Sequence, residues 1–238
     1  MSQNEILVSL FSYNEGEKLK GLVAKFPLES PYDILFIDDG STDGSYEFLL
    51  EKKLKVIRHE SNRGIGFGIR EAVSYGRQNG YKIIVIMASN GKMLPEEINR
   101  LTEPLQKENY DYIQGSRYLA GGQSPNLPLF RKAMIGLFTM IVNLFMGYKG
   151  TDITCGFRAY RLDIFDNPNF NLNQTWLDKY EMEYYIHYYV IKSGYKIKEV
   201  PVSMVYPEGT KDYSKIRPFI GWWSMIRPWI YLVLKIRR

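Results

Sequence analysis

Asp33-Ile34-Leu35-Phe36-Ile37-Asp38-Asp39-Gly40-Ser41-Thr42-Asp43-Gly44 is the stretch on which the reading of this chain turns. A short apolar run of β-favouring residues ends on two adjacent carboxylates, and Gly40 permits the tight turn that follows. Ser41 is suited to cap a helix, which residues 45–51 continue. The unit is strand, acidic turn, helix. Outward from it the same order recurs: residues 6–10, 55–58 and 83–87 read as strands, and residues 17–25 and 65–79 as helices. A further helix opens near Pro95, where proline at the first turn costs nothing because its missing N–H would have no partner. Residues 196–200 form a late strand closing on Pro201.

Repeated strand-helix order predicts an α/β fold of nucleotide-binding type, with a parallel sheet covered by helices on both faces. In such sheets ligands bind beyond the carboxyl ends of the strands. Three polar clusters fall there: Ser12-Tyr13-Asn14-Glu15, Asp38-Asp39-Gly40-Ser41 and Ala88-Ser89-Asn90-Gly91-Lys92. On the residues alone, Asp38 and Asp39 either hydrogen-bond a ribose or base or form an Asx-type turn with no ligand. Gly64-Ile65-Gly66 either brings backbone close to a nucleotide or is a helix start that needs small residues.

The 238 residues, 45% hydrophobic, suffice for one substantial core, read as a catalytic domain over residues 1–210. The net charge of +5 belongs to the end of the chain, because residues 211–238 hold seven Lys or Arg against one Asp. This segment also carries Trp222, Trp223 and Trp229 and is interrupted by Arg227-Pro228. It is expected to form two short amphipathic helices on a membrane surface, where rings sit at the interface and cations meet anionic headgroups. Nucleic acid is a poorer partner, since no nucleic-acid-binding motif is present. Residues 130–146 are apolar nearly all round, fitting a buried core helix or contact with lipid. The single Cys155 excludes an internal disulfide and a Cys-based zinc site, and suits a reducing cytoplasm. The polar start argues against a signal peptide, and no run of 18 apolar residues marks a membrane span.

The motifs together resemble family 2 glycosyltransferases of the GT-A fold, and among them the polyprenyl-phosphate sugar transferases related to dolichyl-phosphate mannose synthase. The resemblance is carried by the two acidic loops above, Asn62-Arg63-Gly64-Ile65-Gly66, Gln114-Gly115-Ser116-Arg117-Tyr118, Asp152-Ile153-Thr154-Cys155-Gly156-Phe157-Arg158 and Glu199-Val200-Pro201-Val202. It implies inverting transfer of a sugar from a UDP- or GDP-linked donor to a polyprenyl phosphate, by a peripheral enzyme on the inner face of the membrane. By the same resemblance Tyr13, Glu15, Asp38, Asp39 and Gly64 hold the nucleoside, and Arg117 and Arg131 lie near the acceptor. Each of these arginines taken alone would equally suit a surface ion pair.

One block departs from the family. Where relatives carry Asp-x-Asp and a following Gln to hold Mg²⁺ or Mn²⁺, this chain has Ala88, Asn90 and Lys92. Hard cations need anionic oxygens, so the expectation is a metal-independent site, with Asn90 a ligand only if a metal is retained. Lys92 then neutralises the leaving diphosphate, with Ser89, Asn90 and Arg158 near pyrophosphate or sugar; otherwise Lys92 is a solvated loop residue. Asp152 is a general base for a hydroxyl acceptor, or an organiser of sugar and Arg158 for a phosphate acceptor. Lys211, Ser214 and Lys215 suit a mobile basic loop over phosphate, or simple headgroup attraction. His59 and His187 form no metal-ligand pair. Glu181 and Glu183 read as helix surface or active-site wall. Two alternatives stay open: transfer to a hydroxyl of a lipid-linked or surface glycan, and a nucleotide-sugar-binding pseudoenzyme.

Overall fold

Alternation of side chains along the strands divides the core into two layers. Leu7 of β1 (Ile6–Ser12), Leu35 and Ile37 of β2 (Asp33–Asp38), and Ile84 and Ile86 of β4 (Ile83–Ala88) face one way. They pack on Ile69 and Val73 of α3 (Ile65–Gln78) and on Met182 and Ile186 of α6 (Glu181–Lys192). The intervening residues Val8, Leu10, Phe36, Val85 and Met87 face α1 (Gly16–Val23), α2 (Ser45–Glu51) and α4 (Ile98–Lys107). A strand side chain moved out of water in this way contributes about 1.5–3 kcal/mol, and a sheet covered on both faces collects it from every strand. The computed structural model describes residues 4–27, 30–208 and 220–237.

The sheet has seven strands in the order β3-β2-β1-β4-β6-β5-β7, completed by β3 (Val56–Arg58), β5 (Tyr112–Ser116), β6 (Arg158–Arg161) and β7 (Ile197–Pro201). Register sets Ser12 beside Asp38, and Phe11 beside Ala88, so the first three polar clusters leave the sheet at one edge. The sheet is mostly parallel, with one reversed strand. β6 runs antiparallel to both of its neighbours, β4 and β5. Its sequence, Arg-Ala-Tyr-Arg, carries no apolar run of its own, and Tyr160 is fixed by stacking on Tyr112 at 4.9 Å. The reversal brings residues 152–157, which precede β6, to the same edge as Arg117, which follows β5.

A 3-10 turn, Thr175–Leu177, precedes α6 and is separated from it by residues 178–180. The carbonyl of Asp178 accepts the Phe67 N–H (3.1 Å), one of the donors left open at the start of α3, so this segment serves another helix rather than extending its own. The expected pair of short tail helices is a single helix, α7 (Ile220–Val233), which continues through Pro228. Packing on α6 overrides the proline: Trp229 and Leu232 are buried, and the Ser224 hydroxyl donates to buried Glu181 (2.5 Å), which also pairs with Arg227.

α5 (Leu129–Met146) buries only a narrow stripe, Ile135, Thr139, Val142 and Met146. Its other flank is open, with Leu144 81% and Phe145 68% exposed. It is the one helix among the described residues long and apolar enough to cross a membrane by length and composition. Val142 and Met146 share a cluster with Trp229 of α7, a helix on which Ile226 and Ile230 are exposed.

Candidate active site

The first two loops lock into each other through backbone and hydroxyl groups. Asn14 N–H donates to Ser41 Oγ (3.0 Å), Thr42 N–H to Asn14 Oδ1 (2.8 Å) and Gly16 N–H to Ser45 Oγ (3.0 Å). Asp38 is fully buried and accepts Ser41 N–H (3.1 Å), which makes it the turn-forming member of the acidic pair. Asp39 instead reaches the third loop, accepting N–H groups from Arg63 (2.8 Å) and Gly64 (2.9 Å) and meeting His59 at 2.7 Å. Tyr13 stands 37% exposed and Glu15 half-buried on the rim beside them.

Gly64 touches the donor loops through Asp39. Its φ of +98°, and the 2.4 Å that would separate a Cβ from the Asp178 carbonyl, exclude a side chain. At Gly66 a Cβ would lie 1.9 Å from the Leu177 carbonyl. These glycines admit the 177–179 segment against the helix start, the second of the two readings open from sequence.

At the end of β4 the expectations divide. Ser89 is buried, and its hydroxyl donates to the Phe11 carbonyl (2.7 Å), so it fastens β1 to β4 rather than facing a ligand. Asn90 Oδ1 accepts Lys92 N–H (3.2 Å) and shapes the turn that presents Lys92. Lys92 Nζ lies 5.3 Å from the centre of the Tyr206 ring, in a cavity of about 350 Å³ lined also by Lys18, Lys25 and Asn90. Ala88, Asn90 and Lys92 offer no carboxylate. Among the described residues no group of three His, Cys, Asp or Glu side chains is arranged to hold a metal ion. This donor set does not fit a hard divalent cation.

Arg117 and Asp152 form a buried two-pronged pair, Nε to Oδ2 at 2.6 Å and Nη2 to Oδ1 at 2.8 Å. Asp152 also accepts Arg117 N–H (3.2 Å) and the Thr154 hydroxyl (3.1 Å), so its four lone-pair directions are occupied. Burial disfavours charge on Arg117, yet Asp152 outweighs it and holds the guanidinium well above its ordinary pKa. The remaining Arg117 donor, Nη1, goes to the Tyr206 hydroxyl (2.7 Å). That hydroxyl is pushed up by burial and pulled back by Arg117 and by Arg131, which enters from the first turns of α5. Lys92 and Arg117 therefore meet at Tyr206, a residue that no sequence motif singled out, with Arg131 acting on the same hydroxyl through its charge. In the sequence the Glu199-Val200-Pro201-Val202 block ran up to this segment, and in the fold Pro201 ends its strand level with Ser116.

Arg158 is not at this meeting point. It is buried, and it donates to the carbonyls of Cys155 (2.8 Å), Glu183 (2.9 Å) and Ile153 (2.9 Å), tying the 152–156 loop to α6. Asp152 thus organises Arg117, not Arg158. Glu183 lies 3.9 Å from Arg158, with its carboxyl pushed up by burial, and Glu181 is covered by α7; neither is a free helix surface. Burial lifts the Cys155 thiol to about 12, which leaves it unreactive, and lowers His187, a neutral core residue contacting the Tyr112 hydroxyl. Lys211, Ser214 and Lys215 lie outside the described residues.

The sequence profile of glycosyl transferase family 2 matches residues 8–167, which include the loops that carry Asn14, Asp38, Asp39, Gly64, Lys92, Arg117 and Asp152. The chain belongs to that family. Among its relatives, the polyprenol monophosphomannose synthase of Mycolicibacterium smegmatis is 29% identical over 83% of this chain and 76% of its own length. The undecaprenyl-phosphate mannosyltransferase of Micrococcus luteus is 28% identical, over 84% and 83%. A similar fold at greater distance is seen in glucosyl-3-phosphoglycerate synthase from Mycobacterium tuberculosis, solved with Mn²⁺, uridine diphosphate and phosphoglyceric acid. It is 14% identical, with a TM-score of 0.68 over 98% of this chain and 78% of that one. The GT-A fold is thereby established, and the protein is a glycosyltransferase.

Proposed function

We propose that this family 2 enzyme moves a sugar, with inversion, from a UDP- or GDP-linked donor to a polyprenyl phosphate at the cytoplasmic face of a membrane. The observation that carries the reading is the meeting of Lys92 and Arg117 at Tyr206, whose hydroxyl also feels the charge of Arg131, with Tyr206 packed on Ile135 of α5, a helix whose other flank is apolar and open. Cations suit the phosphate head of the acceptor and the diphosphate of the donor, and the apolar flank suits a polyprenyl chain. The names of the two bacterial relatives agree with it.

In this reaction an acceptor phosphate oxygen attacks the anomeric carbon while the bond to the nucleoside diphosphate breaks and charge gathers on the leaving group. An ionised phosphate needs no general base. That matches Asp152, whose lone pairs are taken by Arg117 and Thr154. Lys92 supplies the positive charge that carboxylate-bound metal supplies elsewhere, and Arg117 and Arg131 hold the acceptor phosphate. Residues 1–210 form the catalytic unit. The basic, aromatic end of the chain lies on the membrane surface, continuous with the exposed side chains of α5 and α7.

The test is transfer from a panel of radiolabelled UDP- and GDP-sugars to undecaprenyl or dolichyl phosphate. The expected product partitions into chloroform, releases its sugar in mild acid and forms equally well in EDTA. Label that stays in water would defeat the lipid acceptor, an acid-stable lipid product would mean transfer to a hydroxyl, and a strict Mn²⁺ requirement would remove the role given to Lys92.

A further inference from the structure

His59 lies buried between two carboxylates, with Nδ1 at 2.7 Å from Asp39 Oδ1 and Nε2 at 2.5 Å from Glu71 Oε2. A carboxylate only accepts, so both ring nitrogens must donate, and the ring that satisfies both contacts is the imidazolium. Its backbone is anchored independently, by donation of His59 N–H to the Asp38 carbonyl (2.9 Å). The Phe67 ring packs edge-on against it at 5.0 Å and carries Arg63 on its face at 3.4 Å and Arg70 at 5.4 Å. Arg58, the residue before it, turns away to Tyr46 and the Ser41 carbonyl. The charges around the imidazole are thus two carboxylates in direct contact and two guanidiniums across a ring.

Asp39 has four acceptor directions. Oδ1 takes His59 and the Arg63 N–H, and Oδ2 takes the Gly64 N–H, which leaves a single direction on Oδ2 for a ligand. Without His59 the carboxylate could turn on its remaining backbone contacts.

We propose that His59, donating to Asp39 and Glu71 at once, is a positioning residue that fixes the Asp39 carboxylate with one open acceptor for the donor nucleoside. This rests on the donor site proposed above. Burial opposes charge on His59, but Asp39 and Glu71 prevail and its pKa stands above the ordinary 6.5. Burial likewise opposes charge on Asp39, yet His59 and the two backbone donors outweigh it and lower its pKa. The stabilising charge on His59 is present at low pH and lost as pH rises through its raised pKa. Asp39 stays ionised throughout that range. Nucleotide affinity should therefore fall on the alkaline side.

The test uses the whole chain, with free UDP and GDP as probes. Only two histidines are present, so imidazole NMR resolves them: His59 should titrate above the ordinary value and His187 should stay neutral. His59→Gln should weaken binding of the preferred nucleotide by about tenfold, raise the donor KM alike, leave kcat nearly unchanged and flatten the pH profile. Glu71→Gln keeps a hydrogen bond at a partly exposed position; it should fold normally and move the alkaline fall to lower pH. A His59 neutral at about pH 6.5, or a His59→Gln protein that binds nucleotide as the parent does, would overturn the proposal. A parent protein that binds neither nucleotide would sink the donor site itself, and this inference with it, whatever the imidazole shows.

Discussion

Asp38, Asp39, Asn14 and Ser41 come from two loops that hydrogen-bond directly to each other, whereas the cationic cluster draws Lys92, Arg117, Arg131, Asp152 and Tyr206 from five separate segments. The proposed nucleoside side is anionic and held by backbone N–H groups. The proposed acceptor side is cationic, held by side chains, and packed on α5. A site fixed by backbone tolerates side-chain changes that a site made of paired charges does not. The largest loss should therefore follow Asp152→Ala, which leaves Arg117 buried without its partner. It should cost about 3–5 kcal/mol in urea unfolding and abolish transfer. Replacing both, Arg117→Met with Asp152→Leu, should restore most of the stability and none of the activity.

Lys92→Met separates the two sides by rate. It should lower kcat about 10²- to 10³-fold and weaken UDP and GDP, which carry the leaving diphosphate, while binding of the bare nucleoside, uridine or guanosine, stays close to that of the parent. Equal losses in kcat and in nucleoside binding would mean that the sides are not separate. Gly64→Ala probes the opposite side, forcing a side chain onto the Asp178 carbonyl at a positive φ. About 1–3 kcal/mol of stability should go, together with nucleotide affinity, while the KM for lipid phosphate holds. Tyr206→Phe keeps the ring beneath Lys92 and removes only the hydroxyl, for about 0.5–1.5 kcal/mol and a modest fall in kcat. The smallest change in stability, within about 0.5 kcal/mol, belongs to Leu144→Ser with Phe145→Ser, which should instead reduce flotation with anionic vesicles.

This contrast also explains what could be read from sequence. The donor loops were legible because each is a contiguous polar run at the end of an apolar strand, and register alone brings Ser12, Asp38 and Ala88 together. Asp152 and Arg117 were found only by resemblance, and their direct pairing depends on the reversed strand β6, whose residues Arg158–Arg161 show no strand pattern. Arg158 misled for a related reason. An arginine in a block that resembles the family's reads as a pyrophosphate or sugar ligand, but its three donor contacts to carbonyls appear only once the loop is folded. Ser89 was misplaced likewise, since nothing local reveals that the Phe11 carbonyl needs a donor. In the tail, Pro228 argued for a break, and packing against α6 outweighed it.

Glu181 gives that packing a consequence for how the molecule can change over generations. Its carboxylate is sealed beneath α7 and meets Ser224 and Arg227, so a descendant that shed the helix would inherit an acid with no counterpart. Loss of charge at 227 should accordingly travel with a neutral residue at 181, and lineages that exchange the tail for another anchor should show both changes together. The carboxylate makes the end of the chain part of the core's ancestry rather than an interchangeable attachment.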